Sequence, residues 1–115
     1  NDLIGYTMCA DRGNDTISNL YQVYYPAVLR SLKNIIESGV KAGIMVAVGE
    51  AAADPLLEPV LISFGLEEFS MSAPSILRAR KTISQWSKAD ADACEKALAL
   101  DTAEEVKALL EANAR

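Results

Sequence analysis

Two short β-prone runs, "IMVAV" (Ile44–Val48) and "LEEFSMS" (Leu66–Ser72), are each followed within a few residues by a helical pattern. This alternation limits the fold more than any other feature. The first run is fully apolar and rich in β-branched residues, which predicts a strand buried on both faces, as in parallel sheets. Ahead of it, Pro26 opens a helix whose apolar positions Val28, Leu29, Leu32, Ile35 and Ile36 recur at helical spacing, with Gly39 as its left-handed stop. Between the runs, either Asp54-Pro55 or Glu58-Pro59 starts a helix that carries Val60, Leu61, Ile62 and Phe64 and ends at Gly65. After the second run, Ala73-Pro74 leads into a helix through Trp86 with Ile76, Leu77 and Ile83 on one side. Two more helices follow, one capped by Ser87 with Asp90 at its third position, the other by Thr102 with Glu105 completing a capping box. Upstream, Asp11 to Asp15 reads as a loop, and Thr16 caps a short turn through Leu20. Helices alternating with strands across short loops predict the α/β class with a parallel sheet.

Half of the 115 residues are apolar, enough for one modest domain with a real core. Eleven basic residues stand against 16 acidic ones and are scattered, which argues against a nucleic-acid partner. No apolar run is long enough to span a bilayer. Cys9 and Cys94 are far apart with no metal-type spacing, a pattern that fits a reducing cytoplasm. Histidine is absent, so a His-dependent step would fall to another domain or molecule. Two strands with their helices cannot close a barrel, and the opening "NDLIGYT" reads as the polar exit of a strand. The expectation is one structural unit, 1–115, cut from a longer protein.

In parallel α/β folds the carboxyl ends of the strands form the site. Three segments qualify here: Asn1-Asp2 with the loop to Arg12, Val48 to Glu50, and Ser70 to Ala73. Asp2 offers a hard oxygen ligand for Mg²⁺, Asn1 an amide donor, and Arg12 a fork suited to bidentate phosphate contact. The same residues also suit an ordinary surface turn. Glu50 reads either as a general acid/base or as a solvated carboxylate capping the next helix. Ser70 and Ser72 read as hydroxyls along a strand with no base in view, while Cys94 and Cys9 read as packed thiols. Tyr21, Tyr24, Tyr25 and Trp86 read as helix packing or a subunit contact.

"NDLIGYTMCADRGND", "GEAAADP" and "GLEEFSMSAPSILRAR" together closely resemble the carboxyl-terminal end of enzyme I of the bacterial phosphoenolpyruvate:sugar phosphotransferase system, over essentially the whole chain. The "NDL" opening is shared with pyruvate phosphate dikinase and phosphoenolpyruvate synthase, whereas "DRGN" with "EFSMS" points to enzyme I. The resemblance implies the final strands and helices of a phosphoenolpyruvate-binding (βα)₈ TIM barrel, incomplete on its own. It also implies a homodimer that uses Mg²⁺, releases pyruvate and passes the phosphoryl group through a histidine of a separate domain to the histidine phosphocarrier protein. By the same resemblance Asn1 contacts substrate, Asp2 binds Mg²⁺ and Arg12 grips the phosphate, while a second metal carboxylate and further arginines lie upstream. The alternatives are a catalytically degenerate regulatory or dimerisation module of the same fold, or one of the related phosphoenolpyruvate enzymes.

One departure stands out. The family places a general-acid cysteine directly before Gly-Glu, but here Val48 precedes Gly49 and Glu50, and the Arg12-to-Glu50 interval is one residue short of the family pattern. The short interval favours a residue missing between Val48 and Gly49 over a Cys-to-Val substitution, and that residue is either truly deleted or, as the hypothesis adopted here, a chemically altered cysteine that makes the stretch "VAVCGEAAADP". Intact-mass spectrometry of the purified chain checks this. An excess equal to one cysteine, with or without added oxygen, is expected, and the 12.4 kDa of the sequence as it stands would contradict it.

Overall fold

The computed structural model describes residues 1–115. Six α-helices and two very short strands follow one another: α1 (Asp2–Met8), α2 (Pro26–Lys41), β1 (Ala47–Val48), α3 (Glu58–Ser63), β2 (Glu68–Phe69), α4 (Ala73–Ser84), α5 (Lys88–Ala91) and α6 (Ala103–Ala112). Stretches of 3₁₀ helix occupy Asp15–Leu20, Glu50–Ala53 and Asp92–Ala99. The molecule is mostly helical. Its one sheet is the parallel pair β1 and β2, with Ala47 opposite Glu68 and Val48 opposite Phe69.

The helices that lead into the strands stop by the same device. At the end of α3, Gly65 takes φ +93, its N–H bonds to the Ile62 carbonyl, and Leu66 N–H reaches back to Leu61. At the end of α2, Gly43 takes φ +71, its N–H bonds to Val40, and Ile44 N–H reaches back to Gly39. Both are Schellman stops, in which a left-handed glycine satisfies the last carbonyls and turns the chain into the following segment. Gly39 is therefore not the stop that the sequence pattern suggests. It is needed for a different reason: a Cβ there would lie 2.2 Å from Val46 Cγ2, so the returning segment could not pack on α2.

Between the strands, Pro59 rather than Pro55 sits in the first turn of α3, where its missing N–H costs no hydrogen bond. The fully buried core gathers Val28, Leu29 and Ile36 of α2, Leu57, Val60 and Leu61 around α3, Cys94, and Val106 of α6. The two terminal caps form as the sequence predicts. Ser87 Oγ accepts from Asp90 N–H, and Thr102 and Glu105 make a reciprocal capping box.

Several sequence expectations need correction. The predicted strand Ile44–Val48 shrinks to Ala47–Val48, and Ile44 and Met45 are 64% and 72% exposed rather than buried on both faces. A parallel strand needs neighbours to bond its backbone and cover its faces, and β2 reaches only two residues of β1. Leu66–Ser72 likewise pairs only at Glu68–Phe69. The segment after Asp2 is helix α1, not loop, and the cap of the following turn is Asn14, whose side chain accepts from Thr16 N–H. Ile35, Ile76 and Leu77 face outward, and α4 buries only Ala79. Cys9 is exposed with φ 50 at the end of α1, so it is not a packed thiol, whereas Cys94 is fully enclosed.

One core position carries a charge-bearing group. Glu58 is completely buried at the start of α3, and neither carboxylate oxygen has a hydrogen-bond partner. Burial pushes its carboxyl up to about 7, against the opposing pull of Thr82 and Arg78 on α4 and with Asp54 reinforcing the shift. Because the folded value lies above the ordinary 4.5, the native state binds this proton more tightly than the unfolded chain. The folded state is free of the penalty below about pH 4.5 and loses roughly 3 kcal/mol as the pH rises to about 7. Urea unfolding of wild type and Glu58→Gln checks this. The advantage of the variant should grow between pH 5 and pH 8, and a constant difference would contradict it.

Candidate functional site

At the carboxyl end of β1 the chain meets the amino terminus of α1. Glu50 opens the 3₁₀ turn after Gly49, and Asn1 caps α1. Asn1 Nδ2 donates to Glu50 Oε2 at 2.9 Å, joining residues 49 positions apart. The register of the sheet makes this meeting possible: Ser70 N–H bonds to the Val48 carbonyl at 2.8 Å, so β1 is held by β2 up to its last residue before the turn.

The backbone carbonyl of Asn1 is also engaged. It accepts from Gly5 N–H at 3.0 Å within α1 and from the Tyr21 hydroxyl at 2.8 Å. Tyr21 follows the Asp15–Leu20 turn, and its half-buried ring packs against the core. The same hydroxyl accepts from Arg12 Nε at 3.3 Å, and the guanidinium carbon stands 5.7 Å from the Tyr21 ring centroid. Glu50, Asn1, Tyr21 and Arg12 thus form one continuous polar chain. Arg12 lies in the exposed loop that Gly13 N–H and the Asp11 carboxylate help to shape. Its guanidinium is held above its ordinary value, first by the Tyr21 hydrogen bond and further by the negative charges of Glu50 and Asp2.

A depression of about 320 Å³ opens beside this chain and is lined by Asn1, Asp2, Tyr6, Cys9, Arg12 and Tyr21 among others. Of the residues predicted from sequence, Asn1, Asp2 and Arg12 share this depression, and Glu50 is tied to it through Asn1. Ser70 and Ser72 do not join the hydrogen-bonded chain. Ser70 N–H extends the sheet, and Ser72 pairs its hydroxyl with Ser75 at 3.3 Å. A second depression, about 280 Å³, lies at the other end of β1 among Val40, Ile44, Met45, Val46 and Leu66. Its lining is mainly apolar, and it offers no comparable chemistry.

The depression sets one cation, Arg12, beside the carboxylates of Asp2 and Asp11. No three His, Cys, Asp or Glu side chains converge anywhere in the chain. Asp2 could give a Mg²⁺ ion one carboxylate ligand, which falls short of a site made by these residues alone. Between Val48 and Gly49, where the resemblance places a cysteine, the backbone runs on directly. A side chain at Gly49 would meet no atom within 4 Å, so the surroundings of this turn are open.

Tyr21 is the site residue that sequence reading missed. It stands among aromatic residues that suit packing, and its link to Asn1 spans 20 positions, a pairing that only the tertiary fold creates.

Comparison with known proteins adds the family. The chain is 51% identical over 112 residues to a phosphoenolpyruvate-protein phosphotransferase of Bacillus subtilis (strain 168), covering 96% of this chain and 20% of the relative. Proteins of the same name from Geobacillus stearothermophilus and Latilactobacillus sakei are 48% and 46% identical, covering 92% and 91% of this chain and 19% of each relative. The chain therefore spans about a fifth of the length of these relatives. Residues 1–88 match the model described as PEP-utilising enzyme, PEP-binding domain, and on that match the chain belongs to the family of phosphoenolpyruvate-utilising enzymes.

Proposed function

We propose that these 115 residues form the carboxyl-terminal part of the phosphoenolpyruvate-binding (βα)₈ barrel of a cytoplasmic, homodimeric phosphoenolpyruvate-protein phosphotransferase. The complete enzyme takes the phosphoryl group of phosphoenolpyruvate, releases pyruvate, and passes the group through a histidine of a separate domain to the histidine phosphocarrier protein for sugar uptake. The observation that carries this reading is the polar chain from Glu50 through Asn1 and Tyr21 to Arg12, which gathers an arginine, an amide and carboxylates at the exit of a parallel strand. The apolar residues left uncovered, Ile44 and Met45 just ahead of β1 and Leu77 on α4, support a barrel whose neighbouring parts lie outside these residues.

Phosphoryl transfer asks a protein mainly for alignment and charge neutralisation. Arg12 supplies a fixed cation, and with Nε directed at Tyr21 its two Nη groups remain to hold phosphate oxygens. Asn1 is positioned to orient substrate, although its amide must leave Glu50 to do so. Mg²⁺, when bound, would neutralise phosphate charge, with Asp2 as one ligand and the rest drawn from outside these residues. Formation of pyruvate also needs a proton at the methylene carbon. Glu50 is the one acid at the strand exit, and it is occupied by Asn1.

That shortage supports a second reading, a degenerate module that binds phosphoenolpyruvate without turnover. Its basis is the direct passage from Val48 to Gly49 beside open space. Pyruvate release by the full-length protein separates the two. In an active enzyme, Arg12→Ala should lower kcat/KM for phosphoenolpyruvate about a hundredfold or more. Near-normal kinetics would contradict the role given to Arg12, and binding without any pyruvate would favour the degenerate module.

A further inference from the structure

We infer that Tyr21 is a positioning residue for substrate capture, one that holds the Arg12 guanidinium in the orientation needed to receive a phosphate. The inference rests on the reading of the site given above and gives Tyr21, there a link in the polar chain, a part in substrate capture.

Arg12 is on an exposed loop, where a free guanidinium would sample many rotamers and lose that freedom on binding an anion. A single group restrains it. Nε donates to the Tyr21 hydroxyl, and no other protein oxygen accepts from the guanidinium. The restraint is itself anchored. The Tyr21 ring packs against the core, a Cβ added at Gly5 of α1 would meet ring atom Cε2 at 3.7 Å, and the hydroxyl donates its own proton to the Asn1 carbonyl. That donation fixes the direction of the hydroxyl, leaving its lone pairs for Arg12.

The chemistry of the partner matters as much as its place. A carboxylate in the position of the phenol would neutralise Arg12 and compete with the incoming phosphate. A neutral phenol orients the cation and leaves its charge available. By binding Nε it also leaves the Nη edge open toward the depression that Arg12 lines. The ring face, near the guanidinium carbon, favours the cation further.

Titration calorimetry of phosphoenolpyruvate into the full-length protein tests this, using Tyr21→Phe, Arg12→Lys and the double variant. Tyr21→Phe keeps the ring and removes only the hydroxyl, and unchanged thermal midpoints report that the fold is kept. Dissociation constants should rise about tenfold for Tyr21→Phe in the wild-type background, as for one lost charge-assisted hydrogen bond. In the Arg12→Lys background, which has no Nε fork to orient, the further change should be less than about twofold. An equal weakening in both backgrounds, or none in either, overturns the inference while leaving the proposed function standing. Failure of the wild-type protein to bind phosphoenolpyruvate overturns the proposed function, and this inference with it.

Discussion

The pairing of Val48 with Phe69 is the constraint on which the functional face depends. It is a very short piece of sheet, closed at its end by one bond from Ser70 N–H to the Val48 carbonyl. Yet it sets where Gly49 and Glu50 emerge, and Glu50 in turn is what Asn1 reaches from 49 positions away. So short a ladder cannot hold itself, because its backbone bonds would be open to water on both sides. It is held by the helices. The Schellman stops at Gly43 and Gly65 aim both strand segments the same way, and α3 between them is buried against α5 and the Asp92–Ala99 stretch.

From that anchor the site follows by electrostatics. Arg12 is the cation of the depression, with Asp2 and Glu50 close enough to bias its charge and Tyr21 close enough to direct it. Arg12 is held by a neutral hydroxyl, itself fixed by a backbone carbonyl, rather than by an ion pair, and the proposed function gives it the role of receiving a phosphate. The real ion pairs of the molecule lie elsewhere, as between Lys33 and Glu95 at 3.2 Å and between Arg115 and Asp90 at 3.4 Å. Arg115 also stacks over Trp86 at 4.4 Å, tying the last residue to the segment after α4. Such surface pairs secure ends and faces and contribute little to binding.

What the sequence made legible was local. Pro26 in a first turn, the caps at Ser87 and Thr102, and the stop at Gly65 each follow from chemistry within a few residues and are found in place, while Pro59 is the one of two candidate starts that the fold uses. The errors came from positions whose state is set by distant partners. "IMVAV" has the composition of a doubly covered strand, but burial is decided by neighbours, and Ile44 and Met45 have too few of them here. Gly39 looked like a stop because it follows the apolar helical pattern, whereas its actual reason, the close approach of Val46 across a turn, is visible only in the fold. Asn1, Asp2 and Arg12 were legible as candidates by residue type. Glu50 was legible as a residue of the same face, but its direct bond to Asn1 and the part of Tyr21 could not be read, since hydrogen bonds across 49 and 20 positions exist only in the folded chain.

The central claim is that these residues supply one side of a phosphoenolpyruvate site that other parts of a barrel complete. The direct measurement is to combine this chain with a separately produced polypeptide holding the remaining portion of a phosphoenolpyruvate-protein phosphotransferase, and to follow binding of phosphoenolpyruvate by calorimetry. The account predicts that the two pieces associate and that only the pair binds phosphoenolpyruvate. Association without binding, or equal binding by the other piece alone, would contradict it.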